Sequence, residues 1–486
     1  MSALNRRRFL SASALAAAGC ALPAPLIAAR AQSEDIRLLG EILRTLHPGL
    51  HRYLSPQAFE AGLSRLNRQW QAAPSLEARF LSLTGFLATI RCGHSYPSFY
   101  NQKQAVSEQL FARKDRLPFA FRWIGGQMVM TQRQSADAAL PKGSVIKTIN
   151  GVPVARILAR LIPYVRADGS NDGKRIALLD ASGADAIETF DILYGLVFGP
   201  PPGGRFTLRF RAPGQVRDTA ASVPAIDLAA RKAFRRAPDR SGDTPVWQWD
   251  MAADGIATLT MPSWGLYDSK WDWRGWLAER LDSLAGAKGL IIDLRENEGG
   301  EDCGDLILAR LAGRDIALPA ERRLVRYRAV PAALNPYLDT WDDSFRNWGA
   351  AAVPYNARFL QLDADDDGVI RAAEPALKVP LAVLTGPQNS SATFRFAGLI
   401  KAAGLGKLVG GTTGGNRRGI NGGSFFFARL PESGIEFDLP LIGFYPDKPQ
   451  PDAGIVPDLA VTNSAADIAA RFDREMAAAR SVLARR

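Results

Sequence analysis

The chain has 486 residues, with 60 Lys+Arg against 49 Asp+Glu for a formal charge of +11, and only 3 His and 3 Cys. Such counts exclude a disulfide scaffold, a Cys-rich zinc module and a His-rich metal site. A 47% hydrophobic, 22% charged composition excludes a disordered or collagen-like chain, and at roughly 150 residues per domain the length predicts two to four domains.

Residues 1–31 read as an export signal. Asn5-Arg6-Arg7-Arg8-Phe9-Leu10-Ser11 carries the twin-arginine pattern, an Ala/Leu-rich apolar stretch follows, and Ala29-Arg30-Ala31 closes it as an A-x-A cleavage site. Lipidation at Cys20, within Ala17-Ala18-Gly19-Cys20, is the alternative. The signal holds four Arg and no acid, which leaves +7 on the remainder. No Lys/Arg run there is long enough for a nucleic-acid stripe. No second apolar stretch reaches the roughly 18 residues of a membrane span. The expectation is a periplasmic or secreted protein with no nucleic-acid partner and no transmembrane span.

Residues 32–115 read as a helical domain, with Ile36, Leu39, Leu43 and Leu46 at helical spacing and further periodic stretches over 59–70 and 76–90. A β-rich domain follows over 116–228. Its clearest piece is 140–154, an alternating strand, an Asn150-Gly151 turn and a second apolar run. Residues 229–245 are basic and polar and read as a linker. Over 246–462 the pattern alternates: strands at 255–261, 289–294, 379–385 and 408–409, helices at 271–284, 301–311 and 392–403, then a hairpin of 424–430 with 435–441. Alternation of this kind predicts an α/β layer with a largely parallel sheet. Residues 463–486 read as a helix that packs on the rest.

Three arrangements could carry chemistry. Pro387-Gln388-Asn389-Ser390-Ser391-Ala392-Thr393 lies between a buried strand and a helix, where free backbone N–H groups can hold an anion; helix capping by Ser or Asn explains the same residues. Asp293-Leu294-Arg295-Glu296-Asn297-Glu298-Gly299-Gly300 runs from a second buried strand into two glycines, which let backbone N–H groups approach a substrate; a plain strand-to-helix turn is the competing reading. Cys92-Gly93-His94-Ser95 ends a helix, and His is the usual base for a Ser nucleophile. Pro48-Gly49 separates His47 from His51 and denies them a shared helical face, so both read as surface or packing residues.

In this order, these motifs resemble the C-terminal-processing (tail-specific) serine peptidase family, on its tricorn-core-like side. The resemblance also takes in Leu46-His47-Pro48-Gly49-Leu50 and a closing Gly454-Ile455-Val456-Pro457-Asp458. It implies a crotonase/ClpP-like spiral ββα core with a PDZ-like module, the 140–154 segment being similar to part of that module. It implies Ser391 as nucleophile, with the N–H groups of Gly299 or Gly300 and of Ala392 as oxyanion donors. The tail-specific branch places a Lys where this chain has Asn416, and Arg417 and Arg418 stay protonated. The tricorn-like branch instead uses a His from the helical region, which His94 matches. That branch orients the His with a Glu acting through a preceding Ser. Here Gly93 precedes the His, and Asp452 is the nearest match to the Glu.

The implied activity is serine-type hydrolysis of a peptide or protein substrate, with no cofactor needed for catalysis. A non-catalytic ligand-binding protein on the same fold, similar to the family's retinoid-binding relatives, is the competing function. An α/β-hydrolase esterase would need a G-x-S-x-G elbow, which the sequence lacks.

Residues 363–374 fit the twelve-residue EF-hand calcium loop. Asp363, Asp365 and Asp367 stand at positions 1, 3 and 5, Gly368 at 6, Val369 at 7 and Glu374 at 12. The pattern predicts a structural Ca²⁺ ion; a solvated acidic loop is the alternative. Only one such loop is present, and Pro375 disturbs the exit helix of a true EF-hand. Cys92 and Cys303 each lie near a proposed active-site motif, so a disulfide and two separate buried thiols both remain open.

Overall fold

Strand 289–293 is apolar on both of its sides: Leu290 and Ile292 point one way and Ile291 the other, and all three are fully buried. Strand Leu381–Thr385 is buried at every position. Strands of this kind need cover on both faces. In this computed structural model, which describes residues 32–133, 140–233, 240–363 and 368–484, they receive it. The export-signal assignment over 1–31, Cys20 included, lies outside the described residues.

The central sheet has six strands. Five are parallel and stand in chain order, Ile256–Thr260, Gly289–Asp293, Leu381–Thr385, Lys407–Gly410 and Leu459–Ala460, with Gln248–Met251 antiparallel at the edge. The crossover helices Trp273–Asp282, Cys303–Leu311 and Ser391–Ala403 share one cluster with Leu259, Leu290, Ile292 and Val383. The opposite side chains, Ile256, Ile291, Ala382, Leu384 and Val409, pack instead on Ala479 and Leu483 of helix Arg474–Ala484. Burying one such aliphatic side chain contributes about 1.5–3 kcal/mol, so the last helix is an integral part of the core. The helix expected over 463–486 is in fact two, Ala465–Ala470 and Arg474–Ala484, parted at Arg471 in the left-handed region (φ 56°).

Four helices occupy the N-terminal region, Glu34–Leu46, Pro56–Ala72, Leu76–Ala88 and Gln104–Phe111. Their apolar stripes pack on the hairpin Asn421–Arg429 with Glu436–Pro446, through Phe426, Ile435, Phe437 and Leu439. That hairpin is the centre of a second, antiparallel sheet, to which the insertion over 312–378 adds short strands. A third sheet joins Phe119–Ile124, Gln127–Arg133, Val145–Ile149, Arg205–Arg211 and Thr219–Pro224, all antiparallel, around its own apolar cluster. The Asn-Gly turn forms as read, with Asn150 at φ 49° and Gly151 at φ 78°, but the second run is only Val152–Pro153 before helix Val154–Leu161 begins.

The segment read as a linker is not all linker. Leu228–Ala233 is helical, and Arg231 is buried in an ion pair with Asp191 at 2.7 Å while also donating to Leu117 O. Cys92 and Cys303 are both free, buried thiols in different apolar clusters, which settles that question in favour of two thiols. No described helix is long and apolar enough to cross a membrane.

Candidate active site

Parallel strands with crossover helices leave their carboxyl ends open for loops that carry chemistry. Three such loops meet here. Strand Gly289–Asp293 runs into Leu294–Gly300, strand Leu381–Thr385 into 386–390, and strand Lys407–Gly410 into the glycine-rich 411–420. Asn389 is the knot between them. It is fully buried; its Nδ2 donates to Leu294 O and to Asn297 O (2.9 Å), and its Oδ1 accepts from Gly386 N (2.8 Å). Its own carbonyl accepts from Gly414 N and Gly415 N.

Ser391 is the first residue of its helix and sits at φ 51°. A non-glycine residue in that region carries strain of order 1–3 kcal/mol, a feature that clusters at reactive sites. Ser390 is the N-cap residue, yet its side chain makes no capping bond. Plain helix capping therefore does not account for the Ser-Ser pair. Gly299 lies against the turn: a Cβ added there would stand 3.0 Å from Ser391 Cβ, 3.1 Å from Ala392 N and 2.8 Å from Ser390 O. Of the two glycines, Gly299 already donates its N–H to Asn297 Oδ1 (2.9 Å). Among the described residues no hydrogen bond uses the N–H of Gly300 or of Ala392. Those two are the donors free to meet an anion.

His94 follows the third helix, and the charges that act on its ring are those of Asp168, Arg166, Glu298 and Lys174. Its ring lies 5.8 Å from that of Phe425, and its Nδ1 is buried with no hydrogen-bond partner. Burial pushes its pKa below the ordinary histidine value, while the charge of Asp168 pushes the other way. Asp452, the acid matched to the orienting Glu, does not fill that role here. It accepts from Ser170 N and Ser170 Oγ (both 2.9 Å) and from Asn416 Nδ2 (2.6 Å), and no hydrogen bond joins it to His94 among the described residues. Asn416 also donates to Asp168 O (3.2 Å), so this pair braces the stretch beside His94.

That stretch, 166–175, is what the sequence reading missed. Arg166 donates to Gly93 O (2.7 Å) and pairs with Glu298 (2.8 Å). Asp168 accepts from Gly93 N (2.8 Å). Asn171 donates to Thr413 O and Gly415 O. Lys174 pairs with Glu298 (2.8 Å). Burial opposes the charge on Glu298, but Arg166 and Lys174 hold its carboxyl well below the usual range. One decapeptide, drawn from the β-rich region, thus touches the His94 turn, the glycine pair loop, the Ser391 turn and the glycine-rich loop. Glu298 had a signal, its place inside the Asp293–Gly300 motif. Arg166, Asp168 and Lys174 had none, because nothing local marks a polar stretch that is buried only by distant loops.

His47, read as a surface or packing residue, is fully buried beside the site. Its Nδ1 accepts from Gly49 N (3.0 Å), so the proton sits on Nε2, which donates to Ser95 Oγ (2.9 Å).

The sequence profile of peptidase family S41 matches residues 255–461, the stretch that carries the parallel sheet and the three loops. Over that stretch the chain is similar to peptidase family S41. The match supports a serine-type peptidase, an activity that implies a peptide or protein substrate. Among solved structures, mature CPAF complexed with lactacystin is similar over 93% of this chain and 97% of its own, at 17% identity and a TM-score of 0.61. Mature CPAF is similar over 90% and 93%, at 17% identity and 0.59, and the CPAF S499A mutant over 90% and 94%, at 16% and 0.59. These likenesses carry the fold: a mixed α/β S41 architecture extending well beyond the matched core. No curated protein matches the chain.

In the calcium-like loop, Asp365 and Asp367 lie outside the described residues. Strands flank the loop where an EF-hand has helices: Leu360–Leu362 leads in and Val369–Ile370 leads out, paired with Ile316–Ala317. The Glu374 carboxylate accepts from Ala376 N (2.9 Å). No cluster of three or more metal-ligating side chains occurs among the described residues.

Proposed function

We propose that this chain is a serine-type peptidase that cleaves by acyl transfer through Ser391. His94 takes the hydroxyl proton as Ser391 attacks the acyl carbon and then gives it to the leaving amine. The N–H groups of Ala392 and Gly300 receive the oxyanion. The observation that carries this reading is the left-handed backbone at Ser391, pressed against a glycine whose enlargement would displace the turn. The depressed pKa of His94 supports it, because a general base must be neutral at working pH. The twin-arginine segment supports work in the periplasm or outside the cell.

Fluorophosphonate labelling of the purified chain tests the assignment. Wild type should label and hydrolyse fluorescent casein, and Ser391→Ala should do neither while keeping its thermal midpoint within a few degrees. A wild-type chain that does not label would favour the non-catalytic ligand-binding reading. Labelling that persists in Ser391→Ala would remove the assignment. We further propose that the 363–374 loop takes a structural calcium ion; its support is the complete spacing of acids, glycine and closing Glu.

A further inference from the structure

Lys174 is a buried charge that the reaction above leaves unused. An ammonium has three N–H donors and no acceptor. Three oxygens lie nearest this one, Gln388 O at 2.7 Å, Glu298 Oε1 at 2.8 Å and Ser390 Oγ at 3.3 Å, with Gln388 Oε1 farther off at 3.5 Å. Two belong to the turn that precedes Ser391, and the third to the residue that precedes Gly299. Ser390 Oγ closes the ring by donating to Glu298 O at 3.1 Å, the use that diverts it from capping. The lysine stem reaches this point over Gly414, where an added Cβ would stand 2.8 Å from Lys174 Cδ. Lys174 itself is 1% exposed.

We infer that Lys174 is a positioning residue for acyl transfer: its ammonium fixes the separation between the Ser391 turn and the Gly299-Gly300 loop. The two oxyanion donors lie on opposite sides of that gap. Ala392 N moves with the Gln388–Ser391 turn, and Gly300 N moves with Glu298. Asn389 also spans the gap, but it bonds backbone at Leu294 and Asn297, upstream of Glu298. Ser390 Oγ to Glu298 O and Thr393 Oγ1 to Asn297 O (3.2 Å) span it too, and Lys174 adds a charged contact that holds Gln388, Ser390 and Glu298 at once. The proposal rests on the Ser391 reading. It assigns Lys174 no proton transfer, since all three N–H groups are engaged; burial lowers the Lys174 pKa and the paired Glu298 opposes that shift.

Fluorophosphonate labelling of the full chain separates the two ideas, because it reads the reactivity of Ser391 and yields a maximal rate and an apparent affinity. A misplacement of about 1 Å in such a site costs on the order of 10²-fold. Lys174→Met should therefore lower the maximal labelling rate about 10²-fold, with apparent affinity within about threefold. Lys174→Arg keeps a cation between the same oxygens and should regain about tenfold of that loss. Ser390→Ala removes one side of the ring and should slow labelling about tenfold. A Lys174→Met chain that labels within threefold of wild type overturns the inference, and so does an arginine variant as slow as the methionine one. If Lys174→Met does not fold, a Ser390→Ala chain labelling at the wild-type rate overturns it. A wild-type chain that fails to label sinks the Ser391 reading instead.

Discussion

His47 donates from Nε2 to Ser95 Oγ across 2.9 Å, so the residue that follows His94 is pinned by a second, fully buried histidine. Burial holds the His47 pKa down to about 3. An unfolded His titrates near 6.5. The unfolded chain therefore binds the extra proton first, and the stability contributed by neutral His47 is complete above about pH 6.5. It is lost as pH falls from there towards 3, at up to about 1.4 kcal/mol per pH unit. Urea midpoints at pH 7.5 and pH 5.0 measure this. His47→Leu should lower the midpoint at pH 7.5, at a cost of about 1–3 kcal/mol for unpaired Ser95 Oγ and Gly49 N. It should also flatten the difference between the two pH values. An unflattened difference would place the titration elsewhere.

The reaction should tolerate mild acid. Burial keeps His94 below its ordinary value, and the base works only when neutral, so the acidic limb of kcat/KM should have its midpoint below pH 6.5. Asp168 is the strongest charge raising that pKa. Asp168→Asn keeps an acceptor for Gly93 N and removes the charge, and it should move the limb further down. A limb that moves up in this variant would show that His94 is not the titrating base.

The two glycines should answer substitution differently. Gly299 has φ 112°, and a Cβ there would press on Ser390 O at 2.8 Å, Ser391 Cβ at 3.0 Å and Ala392 N at 3.1 Å, so the Ser391 turn must shift to admit it. Gly299→Ala should fold with a modestly lowered thermal midpoint and lose about 10²-fold or more in kcat, the scale of losing an oxyanion donor. At Gly300 (φ 138°) a Cβ would collide with the Trp264 carbonyl, which is backbone and cannot yield. Gly300→Ala should fail to accumulate as soluble protein. Equal activity in Gly299→Ala and wild type would mean that the cradle is not where the oxyanion forms.

Calcium should bind at the 363–374 loop. Isothermal calorimetry on the purified chain should give heat at or below millimolar calcium, abolished in Glu374→Gln, since the bidentate closing carboxylate dominates such sites. No heat at millimolar calcium removes the proposal.

The sheet and the Ser391 turn were legible because each rests on local rules. Apolar runs such as 289–293 and 381–385 are short and bounded by turn residues, which favours buried strands, and the Ser-rich junction marks the start of the helix that follows. Glycine pairs mark close approach, and Gly299-Gly300 serves just that. The orienting acid was misplaced because Asp452 was chosen by sequence order, whereas its position is set by Ser170 and Asn416. Lys174, Arg166 and Asp168 were invisible for a related reason. Their roles arise from partners 73 to 216 positions away, and no period or motif records such pairings. His47, open between surface and packing in the sequence, is a packing residue. The Pro48-Gly49 break rules out a shared helical face with His51, but not a single buried ring.

Arg295, inside the Asp293–Gly300 motif, donates to Asp473 (2.8–2.9 Å) and Glu475 (2.7 Å), at the start of the helix that covers the second sheet face. The same short segment that ends in Gly299 and Gly300 is therefore moored to the tail of the chain. A fusion, a truncation or a cut that peels residues 473–484 away would strip Ile291 and Leu384 of their cover and leave Arg295 paired with Asp293 but without Asp473 and Glu475. Damage to residues 473–484 should thus be felt as a loosened loop at Gly299 and Gly300, some distance along the chain from the break.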